Sequence, residues 1–304
     1  MTPPERSARR PLDATALTRV QRRLLQAPAA PWLHGEVARR MAERLPVIRL
    51  RPERIVDWGA FLGASRAWLA AAYPQARVLA VEPDAARRDA TAAAHAPPWW
   101  SPRRWGAAAA PAVTTAAELS AGAGQLLWSN MGLHGAIDPQ AVMAAWHRGL
   151  QSDGFLMFST LGPGSLAGLR ALYAAYGWPV PHAPFVDMHD LGDMLVAAGF
   201  ADPVMDQESL TLTWPSGEAL LAELRQLGGN VDPGRFAGLR TPRWRRRLAA
   251  ALETQAGAGG RPQLVFEVVY GHAFRPAPRP RVAAETALPL DDMRRMIRAG
   301  RRPA

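Results

Sequence analysis

A short apolar run, Ile55-Val56-Asp57-Trp58, ends in the turn Gly59-Ala60-Phe61-Leu62-Gly63, passes into a helical stretch from Ala64 to Tyr73 and returns as Val78-Leu79-Ala80-Val81, closed by Glu82 and Pro83. A strand, a turn, a helix and a second strand form the unit that joins parallel strands. The corner has a mechanical chemistry: small residues let backbone amides approach a ligand, and an acid about twenty residues on accepts hydrogen bonds from ribose hydroxyls. The pattern fits a nucleoside ligand. An ordinary tight turn followed by a strand-end acid has the same pattern, so the residues alone leave both readings open.

The rest of the chain continues the alternation. Leu33, Val37, Met41 and Leu45 recur every four positions and predict a helix before the first strand. Gln125–Ser129 reads as strand, Pro139–Leu150 as helix, and Phe155–Thr160 as strand, introduced by the turn Ser152-Asp153-Gly154. Late strands are expected at Ser209–Trp214 and Leu264–Tyr270, with a helical insertion at 216–256 between them. Strands alternating with helices imply an α/β fold with a doubly wound, mostly parallel sheet and its ligand at the carboxyl ends of the strands. The expected organisation is a flexible basic segment at 1–30, carrying at most a short helix over Leu17–Leu25, one domain at 31–274, and a Pro- and Arg-rich tail at 275–304.

The net charge of +10 invites a nucleic-acid reading, and its distribution opposes it. Residues 1–54 carry a net +7 and residues 275–304 a net +5, while 55–274 carry −2. The middle of the chain therefore offers no basic stripe, and no Asn-Pro-Pro-Tyr-type motif stands at the fourth strand, where Ser129-Asn130-Met131-Gly132 is found. All 36 basic residues are arginine, beside abundant Ala, Gly and Pro, which reads as compositional bias of the coding genome. The longest uncharged run, Leu119–Ile137, contains four glycines and several polar residues, so no membrane span is expected. No apolar signal core and no cysteine are present, which makes the cytoplasm the default compartment and excludes thiol catalysis and thiolate metal sites. Nothing in the sequence supports a metal.

The strand-turn-acid unit, Leu126-Leu127-Trp128-Ser129-Asn130 and Gly154-Phe155-Leu156-Met157-Phe158-Ser159-Thr160-Leu161-Gly162-Pro163 together resemble a class I S-adenosylmethionine-dependent methyltransferase. Three further segments narrow the likeness: Phe185–Asp193, Ala198–Asp206 and Phe266–Ala273 resemble the malonyl-acyl-carrier-protein O-methyltransferases of biotin synthesis, over about 37–276 in all. The resemblance implies a seven-stranded Rossmann-like sheet with a reversed last strand, Leu264–Tyr270, and a lid over 161–186 completed by the insertion. It implies S-adenosyl-L-methionine as cofactor, held by Asp57, Gly59, Phe61, Gly63, Glu82 and Asn130. The implied partner is malonyl-acyl-carrier protein, with Arg240, Arg243, Arg245, Arg246 and Arg247 as its candidate landing site, although a charge run is also an ordinary solvated face.

The implied reaction sets what to look for. A malonyl carboxylate, with a pKa of about 4, is already ionised at neutral pH, so the nucleophile needs no base and positioning dominates. Arg170 matches an arginine of the family pattern and is the candidate cation for the carboxylate, unless it is a solvated helix arginine. His189, between Asp187 and Asp190, reads as part of a helix cap rather than a base, and His272 as structural. Trp58 and Phe61 either face the cofactor or pack in the core.

Four departures cluster around the cofactor. Phe61 stands where the family carries glycine, and the segment 105–119 offers only Glu118 as an acid for the adenine. His134-Gly135 replaces Gln-Trp, and Leu25-Gln26-Ala27-Pro28-Ala29 replaces a Tyr-Asp pair thought to close over the site. They leave a second class of function open, a catalytically impaired relative serving as an interaction or regulatory module. The two readings part on one geometric point: the Phe61 ring either points away from the crevice above Gly59 and Gly63 or fills it.

Overall fold

The computed structural model describes residues 9–27, 29–95, 112–257 and 259–277. Two helices, α1 (Ala14–Leu25) and α2 (Trp32–Ala42), precede β1 (Arg54–Trp58). The chain turns through the one-turn helix α3 (Ala60–Gly63) into α4 (Arg66–Ala72), β2 (Arg77–Glu82) and α5 (Ala85–His95). Next come β3 (Ala112–Thr115), β4 (Gly124–Ser129), α6 (Pro139–Gly149), β5 (Leu150–Leu161), α7 (Ala167–Ala175) and α8 (Met188–Ala197). A long β6 (Ala201–Thr213), the helices α9 (Gly217–Leu227) and α10 (Pro242–Glu253), and β7 (Gln263–Phe274) complete the chain.

The strands form one sheet in the order β3-β2-β1-β4-β5-β7-β6. The first five run parallel, as the strand-helix alternation predicts, and β7 runs antiparallel to both β5 and β6, as the resemblance implies. Continuous apolar runs serve the central strands because successive side chains enter opposite faces. Ile55, Leu126 and Phe155 join α2 on one side, while Val56, Leu127 and Leu156 meet α6 and α8 on the other. Trp128, Trp146, Phe155 and Phe158 are among the largest side chains fully removed from water.

Four elements differ from the sequence reading, each for a local reason. β5 starts at Leu150, so the expected turn Ser152-Asp153-Gly154 lies inside the strand, with Asp153 at φ +62°. β3 is four half-exposed residues at the sheet edge, too short to carry an apolar run, and α5 is alanine-rich with no strong apolar stripe. β6 starts eight residues earlier than expected because its first half, including Asp206, Gln207 and Glu208, is a solvent-facing edge paired along β7. The N-terminal segment is a correction: over its described part it is a helix fastened to the body. Asp13 caps α1 by accepting from the Ala16 amide at 2.9 Å and pairs with Arg235 at 2.7 Å, while its own amide donates to the Val231 carbonyl. Ala16 and Leu24 are buried. Residues 278–304, the greater part of the expected tail, lie outside the described residues. No helix among the described residues is long and apolar enough to cross a membrane.

The expected lid and insertion form one packed roof. Leu166, Leu169 and Leu172 meet Leu220, Leu248 and Leu252, with Ser216 and Thr241 capping α9 and α10. The two insertion helices approach most closely at Gly217, where an added Cβ would run into the backbone carbonyl of Ala249. Gly217→Ala is therefore expected to push α9 off α10 and cost about 1–3 kcal/mol, read as a lowered urea midpoint. An unchanged midpoint would show that the roof yields at this point.

Candidate active site

Parallel pairing of β1 with β2 sets Trp58 opposite Val81, so the turn after the first strand and the acid ending the second share one corner. Gly59 adopts φ +73°, a left-handed conformation that suits glycine, and its amide donates to the Val81 carbonyl at 2.7 Å. Nothing lies within 4 Å of where its Cβ would be, so the space above the turn is open. Glu82 is fully buried. Its Oε1 accepts from the Phe61 amide and from the Thr91 hydroxyl, each at 2.7 Å, while its buried Oε2 has no partner among the described residues.

A buried carboxylate oxygen without a donor is costly, and one beside a cavity is ready for donors that a ligand brings. Burial raises the Glu82 pKa above the usual carboxylate range. Asp57, behind the turn, is pushed up to about 7, first by burial and then by the nearby charge of Glu82. Its Oδ1 is also unpartnered.

Asn130 knits the floor. Its amide nitrogen donates to the Gly63 carbonyl at 2.6 Å and to the His34 carbonyl at 2.7 Å, and its oxygen accepts from Ser159 Oγ at 2.6 Å. One side chain thus ties the cofactor turn, α2 and β5 together. His34 donates from Nδ1 to the Leu62 carbonyl, and burial lowers its pKa to about 4, so the ring is neutral. His134 faces it edge-on with ring centroids 6.4 Å apart. Burial, with smaller contributions from His34 and Arg10, lowers the His134 pKa to about 3.

A cavity of about 1490 Å³ opens above this floor. It exceeds the roughly 300–1,000 Å³ of an ordinary small-molecule pocket. Gly59, Glu82 and Asn130 line its base, α1 closes one side, and the roof covers it through residues such as Leu169, Tyr173 and Leu248.

The sequence candidates divide accordingly. Gly59, Glu82 and Asn130 line the cavity; Asp57 and Gly63 support the turn from behind. Phe61 is half-buried and is not among the residues that line the cavity; its amide donates to Glu82. Trp58 lines the cavity and also packs edge-on against Trp146 at 6.3 Å. Arg170 does not reach the cavity: it is exposed and folds back to donate to the Pro163 carbonyl at 2.8 Å.

Asp187, not Asp190, caps α8, and His189 is exposed beside it, away from the cavity. His272 is half-buried on β7, edge-on to Phe274. Glu118 closes a local turn on Thr115, while residues 105–111 of the expected adenine segment lie outside the described residues. Arg10 and His34 carry no local sequence signal, because their contacts span distant parts of the chain. Among the described residues no cluster of three or more His, Cys, Asp and Glu could hold a metal. The open turn and the unpartnered Glu82 oxygen fit the nucleoside cofactor that the resemblance implies.

The chain is 39% identical over 257 residues to a malonyl-[acyl-carrier protein] O-methyltransferase of Laribacter hongkongensis, covering 83% of this chain and 86% of that protein. It is 39% identical over 254 residues to the protein of the same name from Gallionella capsiferriformans, covering 83% and 87%. No family model matches the chain. The crystal structure of the YcgJ protein from Bacillus subtilis superposes with a TM-score of 0.52 at 9% identity, over 78% of this chain and 98% of that one, a likeness of fold alone.

The Asp57 shift makes a prediction about pH. Between about pH 4 and pH 7 the folded protein keeps a proton on Asp57 that the unfolded chain releases, so this group's contribution to stability falls as pH rises through that window. Asp57→Asn is expected to remove that fall, gaining melting temperature over wild type at about pH 8 compared with about pH 5. His34 and His134 titrate with the opposite sign but alike in both proteins, so the difference reports Asp57 together with its coupling to Glu82. Parallel melting profiles would contradict it.

Proposed function

The chain belongs to the malonyl-[acyl-carrier protein] O-methyltransferases, and from that premise we propose that it methylates the free carboxylate of malonyl-acyl-carrier protein with S-adenosyl-L-methionine, as a step of biotin synthesis. The observation that carries this reading is the buried, unpartnered Oε2 of Glu82 under an open glycine turn. No observation favours the alternative of a catalytically impaired relative, and Phe61 is not among the residues that line the cavity.

When bound, S-adenosylmethionine supplies a methyl group on a positively charged sulfur to an acceptor that carries an electron pair. Glu82 would receive the ribose hydroxyls, the Gly59 turn would take the amino-acid portion, and Trp58 would present an aromatic surface at the corner. The acceptor carboxylate arrives ionised, so no residue has to remove a proton from it. His34 and His134 suit this requirement, since burial holds both neutral at working pH. The roof's part is to exclude water and hold the acyl group in line.

The carrier protein's landing site is the arginine face of the roof. Arg243 and Arg246 are exposed on α10, Arg245 pairs with Glu218, and Arg240 and Arg247 lie over aromatic rings of Trp244 and Trp178. An acidic partner meeting this face would stand beside a cavity that Tyr173 and Trp244 line from the roof.

Calorimetry tests the cofactor site: S-adenosylhomocysteine should bind wild type, and Glu82→Gln should bind it about ten- to hundredfold more weakly. Absence of wild-type binding at millimolar ligand would overturn the enzyme reading. The doubly reversed variant Arg243→Glu/Arg246→Glu should raise KM for malonyl-carrier protein while leaving KM for malonyl-pantetheine unchanged. Equal effects on both substrates would place docking elsewhere.

A further inference from the structure

Among the described residues five arginines border the cavity: Arg10, Arg23, Arg87, Arg225 and Arg245. Arg87 is neutralised by Asp84 and Arg245 by Glu218. Arg23 is engaged along the seam of α1 and α9, donating to the Arg225 and Gly228 carbonyls, where carbonyls at a helix end favour a cation. Arg10 stands apart. Its guanidinium donates through Nη1 to the His134 carbonyl and through Nη2 to the Pro184 carbonyl, and no carboxylate among the described residues pairs with it. Two carbonyls use only part of a five-donor group.

Resting on the function proposed above, we propose that Arg10 is the residue that receives the carboxylate of the acyl substrate. Three observations meet there. The side chain borders the same cavity as Gly59 and Glu82, so a ligand anchored on it shares the chamber with the cofactor corner. Its backbone is pinned, with the Arg10 amide donating to the Ile137 carbonyl at 2.7 Å and Asp13 clamping the following turn to Arg235. The guanidinium is also half-buried. Burial brings its pKa down to about 10, which still leaves it charged at neutral pH.

A half-buried cation held by carbonyl dipoles, with no counter-ion among the described residues, is open to an anion, and a planar guanidinium forms bidentate pairs with a carboxylate. Arg170, the candidate from sequence, offers none of this, being exposed and turned to Pro163. The assignment has a built-in direction: methylation converts the anion to a neutral ester, so the attraction acts on substrate and lapses on product.

The test uses the full chain as wild type, Arg10→Met and Arg10→Lys, saturated with S-adenosylhomocysteine, and titrates malonyl-pantetheine and its methyl ester. Wild type should prefer the acid. Arg10→Met should weaken the acid by about ten- to hundredfold while leaving the ester and S-adenosylhomocysteine affinities in place, with Arg10→Lys intermediate. If Arg10 merely fastens the N-terminal segment, acid, ester and S-adenosylhomocysteine weaken together, which overturns the assignment. An acid affinity untouched by Arg10→Met also overturns it, while leaving the function standing. A wild type indifferent to the charge of the acyl terminus overturns both.

Discussion

One oxygen of Glu82 is committed to the protein and the other is not, and the site follows from that division. Oε1 holds the Phe61 amide and so fixes the first turn after β1. With the backbone drawn toward the acid, the ring that replaces the expected glycine lies outside the cavity rather than in it. The spare oxygen is buried without a donor among the described residues, so it is free to accept from a ligand in the cavity. A substitution that threatens the corner in sequence is thus accommodated by a hydrogen bond that the same corner already needs.

Asn130 does for the floor what Glu82 does for the corner. It spends its hydrogen bonds on Gly63, His34 and Ser159, so its work is to hold three segments in register. The neighbouring Met131 sits in the left-handed region at φ 52° while its amide donates to Ser159, a local conformation sustained by these surrounding contacts.

The sheet was legible because buried parallel strands need apolar residues on both faces, and Ile55-Val56, Leu126-Leu127 and Phe155-Leu156 declare it locally. A cap at Asp187 or Asp190 was legible because capping partners are local, and the structure uses Asp187, whose partner is two residues away. β3 and α5 were not, because a short edge strand and an alanine-rich helix have little periodic apolar signal. Arg10 was hidden most deeply: its partners lie 124 and 174 residues along the chain, in a region whose composition suggests a loose end. Arg170 misled in the opposite way, because a family position fixes the backbone but not whether the guanidinium turns inward or, as here, back to a carbonyl one turn away.

Asp13 serves two masters with its two oxygens. Oδ1 caps the N-terminal helix and Oδ2 pairs with Arg235 in the segment joining α9 to α10. The fastening of α1 to the roof and the first peg of the helix are therefore one carboxylate, so a substitution at Asp13 loosens the helix end and its attachment together.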